Sequence, residues 1–231
     1  MFSLLRIPKI QLALILLIIY ALAFKLSYLN LLLISVGFTI FFDLLCAYVK
    51  SRTFFIPWAG LVTGLIIALV INPNALWYQV AIICALAMAS KNFLRIGGKH
   101  IFNPAAVGLF LGGVIFNLPA GWWGVSSQTV FILLLPGFVS FYRMKRFGSI
   151  LSFLVVYNLL SGFKILLDPT AIFFALVMLP EPMTSPFNLK KQVFFGSIVA
   201  AAALILSYFP VFTDVLIPAL LLGNVFNFFF K

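Results

Sequence analysis

Apolar residues run along this chain in ten blocks, at 10–25, 28–49, 58–72, 75–92, 104–118, 126–142, 147–163, 169–181, 192–209 and 211–230, parted by charge, glycine or proline. Each block predicts an apolar helix, and several fall short of the ~20 residues that cross a bilayer comfortably. Two of the shortest share a pattern. Thr63-Gly-Leu-Ile-Ile-Ala-Leu-Val-Ile-Asn-Pro73 returns as Thr170-Ala-Ile-Phe-Phe-Ala-Leu-Val-Met-Leu-Pro180, 107 residues later. Short proline-broken segments at matching places in two halves of a membrane protein point to a binding site near the midplane.

The offset pairs the third block with the eighth, and Pro104-Ala105 with Pro218-Ala219 gives a weaker echo. Five crossings per half is an odd number, so the second half must sit upside down relative to the first. The predicted fold is therefore all-α and integral to the membrane, with about ten transmembrane helices in a 5+5 inverted repeat. Residues 1–231 form one membrane domain, with repeat 1 at about 10–118 and repeat 2 at about 126–230. Unwound backbone at Pro73 and Pro180 is tolerated at membrane depth only where it is buried in protein or lines a cavity. Against chance likeness between two apolar segments stand the matched Thr, Ala, Leu, Val and Pro positions.

Composition fixes the solvent. With 65% hydrophobic and 8% charged residues, the chain cannot hide its apolar surface in one water-soluble globule. The net charge of +11 comes in small clusters between apolar blocks, as topology signals do, and no nucleic-acid groove is implied. With a cytoplasmic N-terminus and ten crossings, Lys25 and Lys164 fall outside, and the other thirteen of the 15 basic residues fall inside. The expected location is the cell (inner) membrane, multi-pass, both termini cytoplasmic. Ala21-Leu-Ala23 mimics a signal-peptide cleavage site, but a second apolar block follows at once and the repeat needs the first. Cys46 and Cys84 lie in apolar blocks and offer neither a disulfide framework nor a CxxC site.

The longest non-apolar stretch, Lys91 to Ala106, holds Gly98, Lys99, His100 and Asn103. Asn103-Pro104 reads as an N-cap and first helical residue, and the glycines with Lys99 read as an anion cradle or equally as a tight turn. The second polar point is Pro180-Glu181-Pro-Met-Thr184-Ser185-Pro186, where three prolines free backbone carbonyls beside the two hydroxyls. Glu181 and Asp43 are the acids placed in or near the membrane, which makes both candidates for an ion pathway. Pairing with Lys190 or Lys191 is the plainer role for Glu181. Asp168 and Asp214 read as caps or surface charges. A single histidine cannot build a metal site, and there is no Ser/His/Asp set, phosphate loop or nicotinamide fingerprint.

Gly98-Lys-His-Ile-Phe-Asn-Pro-Ala-Ala-Val-Gly108 and Glu181-Pro-Met-Thr-Ser-Pro186, with Gly60-Leu-Val-Thr-Gly-Leu65 upstream, resemble the signature regions of a known family. That family, NqrB/RnfD, joins one membrane component of the sodium-translocating NADH:quinone oxidoreductase with its counterpart in the Rnf electron transport complex. The resemblance spans about residues 57–200. It implies a urea-transporter-like inverted repeat and a membrane component of a flavin-dependent electron-transfer complex, which relays electrons between the two faces. Such a component is not an enzyme alone. Its partners would be other membrane, flavin and iron–sulfur subunits, with a quinone and ion translocation left open. The cofactor would be riboflavin or FMN, bound by Gly98, Lys99, His100, Asn103, Glu181, Thr184 and Ser185. Two departures stand out. The segment Asn117–Ser127 lacks the SGAT-type attachment motif, so the flavin would be noncovalent, and Glu181 stands where the family usually has Asp. Trp122 and Trp123 border either a second flavin or an interfacial aromatic belt. The alternative is a channel or transporter for a small polar solute on the same fold.

Overall fold

The computed structural model describes residues 8–23, 26–52, 55–126, 145–163 and 168–229. All but the first residue of the sixth block lies outside the described residues. The chain is mostly helical. It divides into two units, residues 1–100 with 104–125 and residues 101–103 with 126–231.

In unit 1, α1 (Pro8–Leu22) leads through a 3₁₀ turn at Leu26–Tyr28 to α2 (Leu29–Ser51), α3 (Trp58–Val70) and α4 (Trp77–Phe93). A two-stranded hairpin, β1 (Arg95–Ile96) and β2 (Lys99–His100), precedes α5 (Pro104–Phe116). Local chemistry sets the ends. Arg52 closes α2 in the left-handed region, its N–H reaching the Tyr48 carbonyl. The Gln79 side chain accepts the Leu76 N–H at the start of α4.

The long helix α2 packs on both α3 and α4 and is inverted in its chemistry. Its buried stripe is Leu31, Ser35, Thr39, Asp43 and Ala47, whereas Leu33, Phe41, Leu45 and Val49 face outward. A four-residue step keeps each set on one side of a helix. Gly64 on α3 lets the two backbones meet, since a Cβ there would lie 2.8 Å from the Val36 Cα and 2.9 Å from the Ser35 carbonyl oxygen. Small residues at such crossings permit close backbone approach.

Unit 2 holds α6 (Phe147–Leu160), α7 (Pro169–Met178), α8 (Leu189–Ser207) and α9 (Leu216–Phe229), with α8 packed against both α6 and α9. The aspartates read as caps do cap: Asp168 Oδ1 accepts the Thr170 N–H at 3.0 Å and Asp214 Oδ1 the Ile217 N–H at 2.9 Å. Asn188 does the same for Lys190 at the start of α8. Helix α7 is α-helical over Pro169–Phe173 and widens to a π turn over Phe174–Met178.

Two described helices, Leu29–Ser51 and Leu189–Ser207, are long and apolar enough to cross a membrane, with mean hydropathies of 2.1 and 1.6. The repeated segment takes two forms. Its first copy is α-helical to Val70 and then extends at Ile71, and its second ends in the π turn.

Candidate functional site

In unit 2 the polar positions converge on the end of the π turn. Asn103 is 3% exposed; its backbone N–H is accepted by Asn224 Oδ1 at 2.9 Å, and its Nδ2 donates to the Met178 carbonyl at 3.1 Å. Thus Asn103 meets the last residue of the π turn, 75 residues on in sequence and three before Glu181. Asn224 on α9 is 1% exposed, and its Nδ2 has no acceptor among the described residues. One helical turn on, Asn227 Nδ2 donates to the Thr184 carbonyl at 2.7 Å.

The proline loop is held from within. Thr184 Oγ1 donates to Glu181 Oε2 at 3.1 Å, and Ser185 Oγ donates to the Glu181 carbonyl at 2.7 Å. Arg146, 5% exposed, secures it from the start of α6: Nε donates to Ser185 Oγ at 2.9 Å and an amino group to the Pro182 carbonyl at 3.3 Å. Its guanidinium lies 5.0 Å from the Phe187 ring centroid. Burial pulls the Arg146 pKa below its ordinary value, though a guanidinium stays charged at neutral pH.

Gly98, Lys99 and His100 belong to unit 1, on the hairpin. Gly97 and Gly98 have φ of 58° and 79°, the left-handed pair that a two-residue hairpin turn requires, and the turn alone accounts for both glycines. Arg95 donates to the Gly98 carbonyl across it. Lys99 is exposed, and His100 is 8% exposed.

Asp43 forms a separate centre in unit 1. It is fully buried, and Lys91 Nζ donates to its two oxygens at 2.7 and 2.6 Å, with Asn92 Nδ2 at 3.2 Å from Oδ1. Lys50 Nζ in turn donates to the Asn92 carbonyl at 3.0 Å. Gly60 backs the carboxylate, for a Cβ there would stand 3.1 Å from Asp43 Oδ2. Lys91, which the sequence reads as a topology charge, is thus the counter-ion of Asp43.

The break in the first repeat copy is closed by backbone. Gly121 and Trp122 N–H donate to the Val70 carbonyl at 2.8 and 3.1 Å, and Gly124 N–H to Leu69 at 3.1 Å. This loop carries Trp123 to an edge-on contact with Tyr20 (5.7 Å between centroids) and a tilted one with Tyr28 (4.6 Å). Trp123 therefore packs inside unit 1.

Sequence reasoning missed Lys91, Asn92, Arg146, Asn224 and Asn227. Asn224 and Asn227 did leave a signal, as amides three apart inside an apolar block. No family model matches the chain, and no curated protein matches it either.

Proposed function

We propose that this chain is the membrane component of a flavin-dependent electron-transfer complex similar to the NqrB/RnfD family. In this reading it is a ten-helix inverted repeat in the cell membrane with both termini cytoplasmic. Electrons enter and leave through flavin and iron–sulfur partner subunits. The carrying observation is the bond from Asn103 to the Met178 carbonyl, which ties Asn103 to the end of the π turn that leads into the proline-broken Glu181 loop. A π turn that leaves a carbonyl for a side-chain donor is typical of functional positions in helices.

The residues fit a noncovalent flavin on one specific point: Asn224 Nδ2 is a buried donor with no acceptor among the described residues, and a ring carbonyl would satisfy it. Glu181, Thr184 and Ser185 would supply acceptors for the ring N–H and for the ribityl hydroxyls. The flavin, riboflavin or FMN, supplies the one- and two-electron chemistry that the side chains lack. Asn103 holds the π-turn carbonyl in place, and Arg146 fixes the loop so that Glu181 keeps its orientation. The hairpin residues Gly98, Lys99 and His100 enter the proposal through the family resemblance alone.

The inverted chemistry of α2, polar inward and apolar outward, supports lipid as the surrounding solvent. Asp43 and Glu181 are the acids through which ion movement would couple to electron flow. The test is purification of the chain with its partner subunits, read by flavin absorbance and fluorescence. Bound flavin that is lost in Asn103→Ala, with the complex still assembled, is the expected result. A colourless preparation that conducts a polar solute in liposomes overturns the proposal.

A further inference from the structure

Helices α6 and α8 leave a groove of about 440 Å³ between them, lined by Leu151, Ser152 and Val155 on one side and Leu189, Val193 and Ser197 on the other. Its walls are exposed and aliphatic: Leu151 and Leu189 are each 65% exposed, Val155 47% and Val193 46%. The two hydroxyls are already spent inside their own helices, Ser152 on the Ser149 carbonyl at 3.2 Å and Ser197 on the Val193 carbonyl at 2.9 Å. Among the described residues no acid lines the groove, and no polar side chain of its lining awaits a hydrogen-bonding partner.

One end is basic. The Gln192 amide ties both helix starts together: Nε2 donates to the Lys145 and Phe187 carbonyls at 2.8 Å each, and Oε1 accepts the Gly148 N–H at 3.0 Å. Lys145 and Lys190 are both exposed at this end. Lys190 stands three residues before Val193 and seven before Ser197, so it shares the stripe of α8 that faces the groove. Lys191 turns to the opposite side, beside Phe226 and Asn227. Two helix N-termini add positive potential at the same place.

We propose that this groove binds an anionic phospholipid, one acyl chain lying along the aliphatic walls and the phosphate held by Lys145 and Lys190. A smooth trough with satisfied hydroxyls and a cationic end matches an amphiphile with one negative head. Among the described lining residues, a partner helix would find only these two hydroxyls, both already spent, to fix its register. Basic pockets between membrane helices recognise anionic head groups in this way. The inference rests on the bilayer part of the proposed function and is independent of the flavin.

The full chain is reconstituted in vesicles of phosphatidylglycerol and phosphatidylcholine in equal amounts, washed with alkaline carbonate, extracted in mild detergent, and its retained lipid is measured by mass spectrometry. Retained phosphatidylglycerol should exceed phosphatidylcholine. Lys190→Gln and Lys145→Gln should each lower that preference about fivefold, the factor for about one lysine at an anionic surface. Lys191→Gln should leave it unchanged, and Val155→Trp, which fills the groove from its exposed wall, should lower retained lipid with helicity intact. Equal retention of the two lipids overturns the proposal, as do equal losses in Lys190→Gln and Lys191→Gln. So does a change of oligomeric state in Val155→Trp with the preference preserved, which would assign the groove to a second copy. Release of the chain by carbonate would sink the bilayer reading itself.

Discussion

The Asp43–Lys91 pair allows a quantitative test of how unit 1 is held together. The carboxylate is fully buried and the lysine side chain is 12% exposed, with a closest approach of 2.6 Å. Removing one member leaves the other as an uncompensated charge inside the helix pack, which costs about 3–5 kcal/mol. Replacing both by neutral residues of similar shape removes the attraction and the desolvation penalty together, and is often neutral or stabilising. Asp43→Asn keeps the shape that Gly60 accommodates and an oxygen for Asn92, while Lys91→Met keeps the aliphatic stem. Each single substitution should cost about 3 kcal/mol or more. The double variant should cost less than their sum by at least about 2 kcal/mol. Reversible unfolding of the detergent-solubilised chain, followed by far-UV circular dichroism, closes the cycle. Costs that add within about 0.5 kcal/mol would refute the pairing, because groups in contact do not behave independently. The double variant also separates structure from transport. If Asp43 is on the ion pathway, a chain that folds normally without the pair should have lost ion-coupled activity.

Two further outcomes rest on single contacts. Asn103→Ala keeps the backbone N–H that Asn224 accepts but removes the donor to the buried Met178 carbonyl. It should lower stability by about 1–3 kcal/mol in thermal melts, whereas a surface alanine substitution in α8 such as Lys191→Ala should not. Gly64→Val places atoms against the Val36 backbone and should cost about 1–3 kcal/mol or prevent folding. Gly97→Ala meets nothing within 4 Å and should cost only the ~1–2 kcal/mol of a left-handed residue, so a Gly64→Val chain that folds and melts like the parent would contradict the packing described.

The helices were legible because their signals are local. Blocks expected at 28–49 and 104–118 are Leu29–Ser51 and Pro104–Phe116, and both copies of the repeat leave α geometry before their prolines. Asp168 and Asp214 cap their helices because a cap depends on two or three neighbouring residues. The pairing of Lys91 with Asp43 spans 48 residues, and that of Asn103 with Met178 spans 75. Hydropathy assigns a residue to a face but does not say which charge or amide meets it there. Arg146 shows the limit most clearly. Counted as a topology charge, it is buried against Ser185 and Pro182, and nothing in its flanking sequence separates it from exposed Lys145.

The two copies of the repeat have the same number of residues from threonine to proline, yet they use them differently. The first extends at Ile71, and the second widens its helix through Phe174–Met178. An α turn advances each residue by ~100° about the axis, and a wider π turn by less, so the same eleven positions arrive at their prolines in different phase. The two segments therefore share their wording but not their heading. A chimera that exchanged one copy for the other would keep hydropathy and length, and would still aim the residues after the proline in the wrong direction.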